Sequence, residues 1–353
     1  MGLHRDDLPP EVLAILANGT VIPAHPLALD ASRRFDRRRQ RALTRYYIDA
    51  GAGGLAVGVH TTQFAIREAG LYETVLAAAV EDARQWSKRP LVLIAGICGH
   101  TMQAMAEART AVALGYHAGL VSLAAFGGES EDALVAHCRA VATEIPVVGF
   151  YLQTSVGGIR LDAEFWRRFA KIDNALAIKV APFNRYATLD VVRGIVEAHA
   201  EQRISLYTGN DDHIVLDLVT PFTVLRDGGA VTVRFRGGLL GHWSVWVRSA
   251  VELLARIQRE IGGGAVSEAL LALDSRVTDC NAAFFDVANG FRGCIAGCHD
   301  VLRRQGLLEG IWCLDPDETL SPGQMQAIDR VCATHADLAD DDFVRANLER
   351  WLE

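Results

Sequence analysis

Short apolar runs alternate with helical patterns eight times along this chain. The runs at 20–24, 54–59, 91–97, 119–123, 146–151, 176–180, 204–207 and 230–235 are rich in Val, Ile, Leu and Ala. Continuous apolar runs of this length mark strands buried on both faces. Between them, segments such as 35–50, 101–114, 131–142, 161–171 and 189–200 carry apolar residues at helical spacing. Regular alternation of the two predicts an α/β fold, a parallel sheet closed into a (β/α)8 TIM barrel. Glycine pairs at 127–128, 157–158 and 237–238 fall where strand-to-helix loops need permissive backbone. Ile261-Gly-Gly-Gly-Ala265 marks the expected boundary, since the pattern beyond it is helical without strands. A barrel over 1–262 carrying the active site, followed by a C-terminal helical region over 263–353, is the expected organisation.

One residue breaks the apolar pattern. Lys179 interrupts Ala175-Leu-Ala-Ile-Lys-Val-Ala181, which otherwise reads as a buried strand. Lysine is among the residues least often buried. Burial without a partner disfavours the charged form and turns the amine into a nucleophile able to attack a ketone. The competing reading is a lysine paired with a carboxylate across the core. Tyr151 closes another apolar run and precedes Lys179 by 28 residues, the length of one strand–helix unit. Both side chains are therefore expected at one rim of the sheet, where a phenol relays protons as a carbinolamine collapses to an imine. A tyrosine that merely packs at a strand end is the plainer alternative.

These residues carry a resemblance. Strand-Tyr151, strand-Ile178-Lys179 and Thr208-Gly209-Asn210-Asp211-Asp212 after the next strand resemble the dihydrodipicolinate synthase and N-acetylneuraminate lyase superfamily. The likeness runs from about Gly19 to about Arg330 and takes in Gly51-Ala-Gly-Gly-Leu-Ala-Val-Gly58 and Leu91-Val-Leu-Ile-Ala-Gly96. It implies a Schiff-base lyase or aldolase in which Lys179 attacks the keto carbon of pyruvate or a related 2-keto acid and Tyr151 shuttles protons. It also implies an aldehyde as second substrate, no cofactor and no metal, and a homodimer or homotetramer. The family's carboxylate-gripping loop corresponds here to Gly58, Val59, His60, Thr61 and Thr62, with Asn210 as a further substrate contact. Threonines that only cap the following helix are the alternative. Three of the family's polar positions are altered, to Val59, Phe126 and Val156, which turns the expectation from the synthase condensation toward imine chemistry on a different partner. A dehydratase using the same imine, the synthase-type condensation itself, and a barrel that binds a keto acid without turning it over remain as alternatives.

Composition excludes some classes. A net charge of −8 over 353 residues gives no electrostatic footprint for nucleic acid. No apolar run is long enough to span a bilayer, and the N-terminal residues lack the apolar core of a signal peptide. Seven scattered cysteines argue against a disulfide framework and for a reducing, cytoplasmic setting. His25, His60 and His100 follow three successive strands and define a metal-dependent aldolase as a rival, which leaves Lys179 unexplained. The arginine run at positions 33, 34, 37, 38, 39, 41 and 45 is expected to be a solvated helix face.

Overall fold

Residues 2–353 are described in a computed structural model. Ten strands follow in chain order: β1 Val21–Pro23, β2 Gly54–Val57, β3 Val92–Ile97, β4 Ala118–Val121, β5 Val147–Leu152, β6 Ala175–Ala181, β7 Ser205–Thr208, β8 Phe222–Arg226, β9 Gly229–Val233 and β10 Gly237–Leu240. Eight of them form one sheet in the order β1-β10-β7-β6-β5-β4-β3-β2, and the fold is a (β/α)8 TIM barrel with added C-terminal helices. The helices up to the hairpin are α1 Pro10–Asn18, α2 Arg37–Ala50, α3 Tyr72–Trp86, α4 Thr101–Leu114, α5 Glu131–Ala142, α6 Ala163–Phe169, α7 Arg185–Glu197 and α8 Ile214–Val219. The C-terminal helices are α9 Val247–Gly262, α10 Glu268–Phe284, α11 Cys294–Arg304, α12 Gln324–Thr334 and α13 Asp341–Leu352.

The eighth barrel strand differs from the sequence expectation. Segment 230–235 supplies β9, the second arm of an antiparallel hairpin with β8. Asp227 and Gly228 turn the hairpin with φ of 53° and 79°, the left-handed backbone that an Asp-Gly turn favours. The hairpin's residues are mostly exposed or half-buried, whereas every residue of β10 is buried. Two glycines at the start of β10 weaken its apolar signal, and the more β-branched hairpin arm outscores it on propensity alone. Helix α9 ends at Gly262, and α10 starts at Glu268 after five intervening residues.

Two compact units are distinguished. One comprises Val92–Gly238 with the N-terminal segment through Gly19; the other comprises Thr20–Leu91 with Leu239–Glu353. In the first, β4, β5, β6 and β7 pair in parallel register, and the Tyr207 hydroxyl donates to the Leu16 carbonyl at the end of α1 (2.9 Å).

In the second unit, the arginine run is not a solvated face. Arg38, Arg41 and Arg45 donate to the carbonyls of Leu352, Glu353, Arg350 and Trp351, the last turn of α13. A helix C-terminus leaves carbonyls without intrahelical donors and carries partial negative charge, so cations there satisfy both needs. Tyr46 completes the attachment: its hydroxyl donates to Asp340 (2.7 Å) and accepts from the Val247 N–H (2.8 Å). No helix among the described residues is long and apolar enough to cross a membrane.

His25, His137, His242 and His299 are buried, and burial lowers each imidazole from the usual 6.5 to about 4. The unfolded chain therefore binds more protons than the folded one between these values. The stability tied to their neutral burial is complete above 6.5 and is lost as pH falls toward 4. Urea unfolding followed by circular dichroism should give a midpoint that declines steadily across that window; a flat profile contradicts neutral burial.

Candidate active site

Lys179 lies on β6, where all seven residues are buried, and is itself only 7% exposed. Lateral register pairs it with Phe150 on β5 and Tyr207 on β7. Partners in parallel strands share a face, so these three side chains form one row across the inner face of the sheet. The amine sits over the Phe150 ring, with Nζ 4.5 Å from the centroid. The ring face attracts an ammonium, while removal from water favours the neutral amine. Gly209, just past β7, is what leaves room for the lysine stem: a Cβ there would stand 2.8 Å from Lys179 Cε.

Tyr151 is on the other face of β5. Its register partner is Val180, and its ring packs at 5.5 Å against Trp166 of α6. The preceding outward position, Gly149, faces Trp166 and Phe169 of the same helix. The hydroxyl accepts the Leu161 N–H at 3.1 Å, and burial raises the phenol above its ordinary value. Tyr151 and Lys179 are therefore not lateral partners on adjacent strands. A register irregularity between Val147 and Val148, opposite Ala175 and Ala177, brings Phe150 rather than Tyr151 level with Lys179. A one-residue slip of this kind exchanges the faces of a strand.

Asn210 belongs to a buried polar network. It is fully buried, its Oδ1 accepts the Phe183 N–H (2.9 Å), and its Nδ2 donates to Thr188 (3.2 Å) and Asp217 (2.9 Å). Asp217 on α8 is also fully buried and accepts from Arg185 and from the Thr208 hydroxyl (2.6 Å). This network fastens the loop after β6, including Phe183 in left-handed backbone (φ 49°), to the loop after β7. It sets the backbone that follows Lys179 and the glycine that flanks it. Sequence reasoning missed Asp217, although Ile214-Val-Leu-Asp-Leu-Val219 shows the same charge in an apolar run that drew attention to Lys179.

In the other unit, the loop after β2 is a short 3-10 turn, His60–Thr62. Both threonine hydroxyls are committed to backbone: Thr61 donates to Ala24 (2.7 Å), and Thr62 donates to His25 (2.6 Å) while accepting the Gly58 N–H (3.0 Å). They tie the loop after β2 to the backbone after β1; Val59 is buried, and the His60 ring packs on Phe64 at 5.7 Å. His25 has its Nε2 on Thr44 (2.9 Å) and its Nδ1 beside Gln40 and the Pro26 carbonyl (both 2.9 Å), so its ring nitrogens are engaged within the core. Among the described residues, no three His, Cys, Asp or Glu side chains are grouped as metal ligands.

The family model described as the dihydrodipicolinate synthetase family matches residues 18–221. The chain belongs to this family. Among solved structures with the same fold is a dihydrodipicolinate synthase from Acinetobacter baumannii complexed with pyruvate, 16% identical with TM-score 0.72, matched over 90% of this chain and 98% of that one. YagE, a prophage protein of Escherichia coli K12 in complex with pyruvate, is 17% identical with TM-score 0.72 over 90% and 98%. CdNal from Clostridium difficile in complex with mannosamine is 13% identical with TM-score 0.71 over 90% and 99%. No curated protein sequence matches the chain.

For this family member two substitutions separate framework from chemistry. Asn210→Ala orphans the Phe183 N–H and removes a donor from a buried carboxylate, and should cost about 1–3 kcal/mol by denaturant unfolding. A loss below the error of that measurement would show the bracket to be dispensable. Tyr151→Phe keeps the ring packed on Trp166 and should leave activity on a keto acid within about twofold, against the 10²–10⁴-fold typical of a lost acid–base group.

Proposed function

We propose that this family member is a lysine Schiff-base enzyme acting on pyruvate or a related 2-keto acid, with Lys179 as the nucleophile. The observation that carries the reading is a single amine on the inner face of β6, nearly buried against an aromatic ring. A lysine so placed is in the condition that nucleophilic amines require, desolvated and held in position. Family membership and the pyruvate complexes of two proteins of the same fold support the choice of substrate.

The neutral amine adds to the C2 carbonyl, giving a carbinolamine, and loss of water leaves an iminium. That iminium withdraws the electron pair of the adjacent bond. Cleavage of the C3–C4 bond releases an aldehyde and an enamine; addition of the enamine to an aldehyde is the reverse, and loss of a leaving hydroxyl gives dehydration. Phe150, level with the amine, cannot carry a proton, and the Tyr151 hydroxyl accepts the Leu161 N–H. Proton transfer during carbinolamine collapse is therefore assigned to water or to the substrate's own hydroxyl and carboxyl groups. Asp217, Asn210 and Thr208 act as positioning residues for the loops beside the amine.

A second reading, a barrel that binds a keto acid without turnover, draws support from the same phenylalanine. Borohydride treatment in the presence of pyruvate, followed by peptide mapping, tests the first. The expected result is a reduced pyruvyl adduct on the peptide containing Lys179, absent from Lys179→Ala. Adduct on another peptide, or none with any of several 2-keto acids, overturns the assignment of the nucleophile. An adduct that forms without any accompanying turnover of candidate aldols selects the second reading.

A further inference from the structure

The C-terminal helices line an open cavity of about 410 Å³ within the unit formed by Thr20–Leu91 and Leu239–Glu353. That volume falls in the range of sites for small organic ligands. Its apolar lining comes from Trp243 and Trp246 after β10, Leu253 on α9, and Leu273 and Val277 on α10. Trp246 stands in left-handed backbone, φ 52°, a conformation a bulky residue adopts only where surrounding structure holds it.

The rim is charged, and its charges are unequally satisfied. Glu252 is paired with Arg248 (2.7 Å), Asp337 with Arg276, and Arg256 with Glu260 (2.9 Å). Arg259, exposed one helical turn beyond Arg256 on α9, makes no ion pair among the described residues. Both rim carboxylates are thus already neutralised by arginines, which disfavours a cationic ligand. The remaining unbalanced charge is positive. His242, also at the wall, is held neutral by burial and adds no charge. A second protein copy is a poor fit, because it would bury four rim charges, and interface cores are depleted of charge.

We infer that this cavity binds a small amphipathic carboxylate, its aromatic or aliphatic body among Trp243, Trp246, Leu253 and Val277 and its carboxylate on Arg259. The planar guanidinium is suited to such a pairing. This inference does not rest on the keto-acid reading.

Isothermal titration of the full chain with 3-phenylpropionate, and with its uncharged amide as control, tests the inference. Wild type should bind the acid about tenfold or more tightly than the amide, and Arg259→Gln should bring the acid down to the amide's level. Leu273→Trp, which fills the cavity, should abolish binding of both while leaving the circular dichroism spectrum and the mass by light scattering unchanged. Should that variant fail to fold, the Arg259→Gln comparison decides alone. Equal affinity for acid and amide, indifference to Arg259→Gln, or no binding at millimolar probe overturns the site. A drop in oligomer mass with Leu273→Trp would identify the cavity as a contact between copies and overturn it as well.

Discussion

The register of β5, β6 and β7 is the constraint on which the rest of the site depends. It fixes Phe150, Lys179 and Tyr207 in one row, and so decides what the amine touches. A charge-bearing side chain inside a sheet of otherwise apolar strands costs desolvation free energy that the fold must recover elsewhere. Here the aromatic face at 4.5 Å recovers part of it, and the gap left by Gly209 lets the stem lie without strain. Shifting the register by one residue would replace the phenyl ring by a phenol and change the chemistry available to the amine. A slight irregularity near Val147 therefore decides which aromatic residue lies level with the amine.

The loops that follow β6 and β7 are held by a second buried charge. Asp217 gathers Arg185, Thr208 and Asn210, and Asn210 in turn secures the left-handed turn at Phe183. Removing one hydrogen-bonding partner from such a buried arrangement leaves a donor or acceptor unsatisfied, at a cost of about 1–3 kcal/mol. The arrangement supports the site without supplying a group to it. In the other unit, the threonines after β2 do comparable work for the loop after β1. In both clusters, polar residues at strand ends hold the backbone of the neighbouring loops.

Much of the fold was legible in the sequence because barrel strands buried on both faces leave an unmistakable apolar run. Seven of the eight strands fell within reach of that pattern; the family was legible from the motifs around Tyr151, Lys179 and Thr208–Asp212. The eighth did not, because Gly237-Gly-Leu-Leu240 is short and glycine-led, while the neighbouring hairpin carries stronger β-propensity. Lys179 was legible for the reason that any charge in a buried strand is. The face occupied by Tyr151 was not, since a spacing of 28 residues counts positions but is blind to a bulge. Thr61, Thr62 and Asn210 were visible as polar residues near strand ends, but which backbone groups they serve depends on contacts distant along the chain.

The central claim is that Lys179 forms a covalent imine with a 2-keto acid, with Phe150 as its immediate neighbour. Its most direct test is a crystal structure of the protein soaked with pyruvate. The expected result is continuous electron density from Lys179 Nζ to C2 of the keto acid, with the Phe150 ring against the new bond and the Tyr151 hydroxyl still on the Leu161 N–H. An unmodified Lys179 beside ordered pyruvate, or a Tyr151 side chain turned onto the inner face, would contradict it.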